Sequence, residues 1–182
     1  MSDGQAHWIF GYGSLMWKPG FPWSDRAPAL LRGHQRAFCR YSFRHRGTPA
    51  APGLVIGLRE GGACKGIAYR PRSEQAALDY LDGREGTGYR RHLLPLELET
   101  PSGQRAGTGW VYVPNRDHPS YFGRQHPDRI ARLVASGRGE SGTALEYLVA
   151  MLAELERLGV DEPDLKDVLR RAQALPGVHT GG

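Results

Sequence analysis

Cysteine and lysine are scarce in this chain of 182 residues, and acidic residues vanish from one long stretch of it. Cys39 and Cys64 are the only cysteines. They form no C-x-x-C motif and are too few for a disulfide framework, which points to a reducing compartment. No stretch approaches the ~20 apolar residues of a membrane span. The residues from Met1 to Trp8 show no basic segment followed by an apolar run, so a secretory leader is not expected. The histidines form no H-x-x-x-H or H-E-x-x-H pair, and no metal site is expected from them. The expectation is a cytoplasmic protein with no membrane partner and no metal.

What is present reads as globular, with 40% hydrophobic and 24% charged residues, values that exclude wholesale disorder. Lys plus Arg outnumber Asp plus Glu by 24 to 19, for a net charge of +5. Only Lys18, Lys65 and Lys166 are lysine, which leaves 21 arginines. Such a surplus invites an anionic partner, but base composition of a genome produces the same bias. Arg26, Arg32, Arg36, Arg40, Arg44, Arg46 and Arg59 lie in a stretch without one acid. On a strand, Arg36, Arg40 and Arg44 fall on one face. That stripe could meet RNA or a small anion, or simply face water.

The first two thirds of the chain read as short strands at Trp8 to Tyr12, Ala37 to Phe43, Leu54 to Leu58, Cys64 to Tyr69, Arg91 to Glu99 and Gly107 to Val113. Turn chemistry separates them at Thr48-Pro49, Pro52-Gly53, Gly61-Gly62 and Pro101-Ser102-Gly103. Leu94, Leu96 and Leu98 alternate with polar neighbours, and Pro95 between them suggests an edge or a bulge. The last third turns helical. Ile130, Leu133 and Val134 follow Pro127; Leu145, Leu148, Val149, Leu152 and Leu155 form a stripe that Gly159 stops; Leu165, Val168, Leu169 and Ala172 form another after Pro163, with Asp164 as cap. One α+β domain spanning residues 1–182, with a core from about 7 to 175, is the expected organisation.

One helix interrupts the strands. Ser73 caps it, and Gly86 and Gly88 end it. Ala77, Leu81 and Glu85 stack on one line of its surface, which turns Glu85 toward the core in the last turn. Burial and the negative end of the helix dipole both raise a carboxylate's pKa, the direction a general base and acid needs near neutral pH. An ordinary ion pair with Arg84, Arg90 or Arg91 is the other reading of Glu85.

The run Phe10-Gly11-Tyr12-Gly13-Ser14-Leu15-Met16-Trp17 leads a strand into a glycine turn whose N–H groups can converge on an anion. It lacks the lysine of a phosphate loop and the third glycine of a dinucleotide fingerprint, and Ser14 is not in a G-x-S-x-G elbow. With Phe38, His45-Arg46-Gly47-Thr48-Pro49, Pro52-Gly53-Leu54-Val55, Gly66-Ile67-Ala68-Tyr69, Tyr80-Leu81-Asp82-Gly83-Arg84-Glu85, Gly88-Tyr89-Arg90 and Glu146-Tyr147-Leu148, this run resembles the ChaC family of γ-glutamylcyclotransferases. The likeness extends from about Trp8 to the final helix.

The resemblance implies the γ-glutamylcyclotransferase fold, a small mixed β-barrel flanked by helices. It also implies cleavage of glutathione, or a related γ-glutamyl peptide, to 5-oxoproline and cysteinylglycine with no cofactor and no nucleic-acid partner. Glu85 would be the general base and acid. Gly11, Tyr12, Gly13, Ser14, Leu15 and Met16 would hold the γ-glutamyl group, and Tyr147 matches a tyrosine near the pocket, although a helical tyrosine beside Leu148 is as readily core. Arg40, from the basic stripe, is a further candidate substrate contact. Around Phe38-Cys39-Arg40-Tyr41-Ser42 the chain departs from the eukaryotic members and looks closer to the bacterial branch. Another γ-glutamyl amine as substrate, and a basic RNA-binding module, stand as alternatives. Cys39 reads as a buried structural thiol.

Overall fold

The computed structural model describes residues 6–178. Five strands, β1 (Trp8–Gly11), β2 (Trp23–Ser42), β3 (Gly53–Pro71), β4 (Tyr89–Thr100) and β5 (Gly103–Pro114), close a barrel in the order β1-β3-β2-β4-β5. Four helices accompany them: α1 (Glu74–Glu85), α2 (Pro127–Ser136), α3 (Ala144–Arg157) and α4 (Pro163–Gln173). The α+β barrel expected from the sequence is what forms. The chain divides into two compact units, one made of the chain up to Gln35 with Glu60–Asn115, the other of Arg36–Arg59 with the chain from Arg116 onward.

In the first unit, β1 is buried along its whole length. It lies antiparallel to β3, with Ile9 opposite Tyr69, and parallel to β5, with Ile9 opposite Trp110. A strand covered on both faces must be apolar throughout, and Trp8, Ile9 and Phe10 supply this. β4 and β5 form a hairpin around Pro101-Ser102, closed where the Thr100 hydroxyl donates to the Gly103 carbonyl at 2.7 Å. Leu96 and Leu98 are buried as their alternation implies. β2 pairs with β4 at Glu97 and Leu98; Pro95 lies just short of that stretch, where its partner is Thr108 of β5.

Both long strands exceed what the sequence suggests. The expected segments Leu54 to Leu58 and Cys64 to Tyr69 are parts of β3, which runs through Gly61 and Gly62 at φ of 97° and 67°, values that side chains other than glycine's resist. β2 begins at Trp23, well before Ala37, and its early part carries Asp25, Pro28 and Gly33, all poor strand formers.

In the second unit α2, α3 and α4 pack together. Val134 of α2 is buried, with Ile130 and Leu133 half-buried. On α3 the buried line is Ala144, Tyr147, Leu148, Met151 and Leu155, and Val149 is 47% exposed, so the helix is turned relative to the stripe expected from its leucines. A capping box at its start, Thr143 with Glu146, fixes that helix's entry. α4 begins on Pro163 with Glu162 at the cap position; Asp164 sits inside the first turn rather than capping.

Candidate active site

β1 ends at Gly11, and Tyr12-Gly13 lead into a single 3₁₀ turn, Ser14–Met16. Here β1 and β3 run unusually close: a Cβ on Gly66 would collide with the Gly11 carbonyl oxygen, and one on Gly11 would lie 2.9 Å from the Leu15 Cβ. Only glycine lets the strand feed so tight a turn. Inside it, the Met16 N–H donates to Gly13 O (3.0 Å), and the Trp17 and Lys18 N–H groups donate to Ser14 O (3.2 and 2.8 Å). The N–H groups of Gly13, Ser14 and Leu15 are not used by these bonds. Two tyrosine hydroxyls tie the turn to the barrel, that of Tyr12 donating to Tyr112 O (2.5 Å) and that of Tyr69 to Met16 O (2.8 Å).

Glu85 closes α1. The Ser73 hydroxyl caps the start of that helix on the Ala76 N–H, while Ala77, Leu78 and Leu81 bury its inner face. Gly86, at φ 58°, ends it. The Asn115 N–H donates to Gly88 O at 2.9 Å, which holds the segment following Glu85. One turn before Glu85, Asp82 receives the Tyr112 hydroxyl (2.8 Å) and an Arg91 N–H (2.6 Å). Burial and the neighbouring Asp82 carboxylate push the Tyr112 phenol well above its usual pKa, so it stays a donor.

Helix and turn meet at Arg84. Its Nη2–H donates to Ser14 Oγ at 2.8 Å and its Nη1–H to Lys18 O at 3.0 Å, while its Nε lies 3.8 Å from Glu85 Oε1. The Glu85 side chain is 19% exposed. The Gly11–Met16 segment and Glu85, separated by some seventy residues, are thus joined through one guanidinium. Arg84, one of the three arginines the sequence offers as an ion-pair partner for Glu85, stands at the long limit of such contacts.

The other two candidate residues lie in the second unit, each with partners there. Arg40 donates from Nε (3.0 Å) and Nη2 (2.8 Å) to Ser120 Oγ. Tyr147 is buried, and its hydroxyl accepts the Ile56 N–H at 3.3 Å while the Arg46 guanidinium lies 5.4 Å from its ring centre. The stripe of Arg36, Arg40 and Arg44 is not a row of open cations. The Arg36 side chain is wholly buried and paired with Glu162 at 2.7 Å, and Arg44 pairs with Glu140 at 2.8 Å. Cys39 and Cys64 are both buried and free. Burial pushes the Cys39 thiol up to about 12, which suits the structural role expected of it.

A model of the ChaC-like protein family matches residues 7–174. The chain belongs to that family. It is 38% identical over 169 residues to the rat protein named glutathione-specific γ-glutamylcyclotransferase 1, covering 89% of this chain and 75% of that one. It is 37% identical over 167 residues to the Escherichia coli protein named glutathione-specific γ-glutamylcyclotransferase, covering 89% and 71%. The crystal structure of a yeast γ-glutamylcyclotransferase specific to glutathione superposes with a TM-score of 0.85 at 26% identity, over 96% of this chain and 99% of that one. The fold of this ChaC-like chain is therefore that of the γ-glutamylcyclotransferases.

Arg84 is the site residue that sequence reasoning placed only as a partner for Glu85. Its adjacency to Glu85 was visible, but its principal acceptors, Ser14 and Lys18, are brought to it by the fold. Among the described residues, no group of three or more His, Cys, Asp or Glu is placed to hold a metal ion, and no helix is long and apolar enough to cross a membrane.

Proposed function

We propose that this ChaC-like chain is a cytoplasmic, glutathione-specific γ-glutamylcyclotransferase, a lyase that works on a small peptide rather than on nucleic acid. The observation that carries the reading is the convergence on Arg84 of the glycine turn and the Glu85 carboxylate. The names of the rat and Escherichia coli relatives support glutathione as the substrate. Two buried free thiols fit a reducing compartment.

The reaction closes a ring within the substrate. The α-amine nitrogen of the γ-glutamyl group bonds to its own γ-carbonyl carbon, and the bond from that carbon to the cysteinyl nitrogen breaks. The products are 5-oxoproline and cysteinylglycine. The substrate supplies the nucleophile, so the protein needs no reactive serine or cysteine. The α-amine, with an ordinary pKa near 8, is mostly an ammonium at neutral pH and first gives up one proton to solvent; as the ring closes, the protein must take a second proton from that nitrogen and return it to the leaving nitrogen. Glu85 does both in turn, as base and then acid. The Gly11–Met16 turn holds the γ-glutamyl group, its unused N–H groups facing either the α-carboxylate or the oxyanion that develops on the γ-carbonyl.

Incubation of the purified protein with glutathione, with 5-oxoproline followed over time, tests the reading. Wild type is expected to turn over, and Glu85→Gln, which keeps the shape and loses the proton, is expected to fall about 10²- to 10⁴-fold with an unchanged circular dichroism spectrum. Absence of 5-oxoproline from wild type rules out the substrate. Undiminished turnover by Glu85→Gln rules out the mechanism.

A further inference from the structure

Arg84 transfers no proton in the reaction above, yet it contacts both the substrate-holding turn and the chain just past it. Its Nη2–H reaches Ser14 Oγ, where the turn begins, and its Nη1–H reaches the Lys18 carbonyl just beyond the turn. The Lys18 N–H itself returns to Ser14 O at 2.8 Å, so the guanidinium grips a closed loop rather than a free strand. The third face of the same planar group, Nε, is turned to Glu85 at 3.8 Å. Neighbouring residues on a helix point about 100° apart, so Arg84 and Glu85 fan out from the last turn of α1. The long separation between them means that the guanidinium is aimed at the turn and not committed to the carboxylate.

We infer that Arg84 is a positioning residue, whose rigid fork fixes where the Ser14–Lys18 turn stands relative to the Glu85 carboxylate. The catalytic consequence rests on the function proposed above, and the structural part does not. A guanidinium presents its donors in one plane at set angles and so defines two acceptors at once; an ammonium on a flexible stem defines neither. The side chain is 23% exposed, which shields these charge-assisted bonds from competing water. Because Ser14 Oγ accepts from Arg84, its own O–H remains to donate. Arg84 thereby aims Ser14 and, through the turn, the adjacent N–H groups. Displacement of the turn by about 1 Å would leave substrate bound but out of line with its base, an error of the kind that costs about 10²-fold in rate.

Two measurements on the full chain test this. In Arg84→Ala, the Met16, Trp17 and Lys18 amides are expected to exchange with solvent deuterium about tenfold faster or more, with the Leu78 and Leu81 amides of α1 unchanged. With glutathione, kcat is expected to fall about 100-fold while KM changes little, because the loss lies in orientation rather than in binding. Added guanidinium ion restores part of kcat to Arg84→Ala and none to Arg84→Lys, which is expected to be nearly as impaired. Unchanged exchange at the three turn amides overturns the inference. So does wild-type kcat in Arg84→Ala, or a loss that merely follows the unfolded fraction and is not rescued. A wild type that releases no 5-oxoproline overturns the proposed function, while the exchange result still decides whether Arg84 holds the turn.

Discussion

Each unit of the molecule contains an arginine bonded to a serine hydroxyl, and the two pairs differ in what surrounds them. In the first unit Arg84 donates once to Ser14 Oγ, Ser14 is half-buried, and among the described residues no acceptor takes its hydroxyl proton. In the second unit Arg40 donates twice to Ser120 Oγ, Ser120 is 1% exposed, and its oxygen lies 2.7 Å from His118 Nδ1. That nitrogen also accepts the Ser120 N–H at 3.2 Å, so it is the acceptor for the hydroxyl proton. A hydroxyl offers one donor and two acceptor sites, and Ser120 uses all three. Its backbone carbonyl in turn receives the Tyr41 N–H at 2.8 Å. The same pair of residue types therefore makes an open group in one place and a closed structural knot in the other. What separates them is saturation and exposure, not the identity of the partners.

Removing each hydroxyl puts that distinction at risk, and the largest effect is expected at Ser120. Ser120→Ala strips Arg40 and His118 of their shared partner inside the protein. The cost is about 2–3 kcal/mol, read as a fall in Tm of roughly 4–10 °C, with kcat/KM of the folded protein within about twofold of wild type. Ser14→Ala should reverse the pattern, with kcat/KM about tenfold lower and Tm lowered by less than in Ser120→Ala, since half-buried Ser14 gives up one hydrogen bond from Arg84 where Ser120 gives up three. If Ser120→Ala stops turnover in folded protein, or Ser14→Ala melts the fold, the contrast is broken. Arg40→Ala sharpens it. Tm should fall as for Ser120→Ala, with the double variant no worse than either single one, because the two residues act as one unit. The KM for glutathione then decides the sequence-based role of Arg40: a wild-type value removes it from the substrate's contacts.

The elements that carry the open pair were legible in the sequence, and the closed pair was not. The glycine turn after Phe10, the Ser73 cap, the apolar line of Ala77 and Leu81, and Glu85 at the end of α1 are all local patterns, and each lies where its pattern puts it. The Thr143–Glu146 capping box is equally local, though the apolar stripe by itself does not reveal it. The buried face of α3 does not follow from the sequence because Leu145, Val149 and Leu152 compete with Leu148, Met151 and Leu155 for the apolar side, and tertiary packing selects the second set with Tyr147. The early part of β2 hid behind Pro28 and Gly33, whose local preferences the ladder overrides. The Arg84–Ser14 and Arg40–Ser120 bonds join residues 70 and 80 positions apart, and no periodicity reports such a distance.

Tyr147 supplies a smaller effect of the same kind. Its hydroxyl accepts the Ile56 N–H inside the second unit, so Tyr147→Phe removes that hydrogen bond and is expected to cost about 1 kcal/mol of stability. A rise in KM with no change in Tm would instead favour the substrate contact that the family resemblance implies.

The smallest effect is expected at Glu74, at the other end of α1 from Glu85. Its Oε1 receives the Trp110 indole N–H at 2.7 Å and faces His7 Nδ1 at 3.0 Å, and its Oε2 receives the His7 N–H at 2.9 Å. Burial alone would raise its pKa; the hydrogen bonds from Trp110 and His7 outweigh burial and hold it below the usual carboxylate range. A carboxylate depressed in the folded state adds stability that is fully present above its unfolded pKa of about 4.3, and that is lost as pH falls through the lower folded value. Glu74→Gln should therefore be less stable than wild type near neutrality, by about 1 kcal/mol or less for so peripheral a group. The difference in Tm between the two should shrink steadily once the pH drops below about 4.3, as wild type itself becomes protonated. A difference that stays constant from neutral to pH 3 would mean that the ionised carboxylate contributes nothing there, and that hydrogen-bond saturation at this end of α1 is a matter of shape rather than charge.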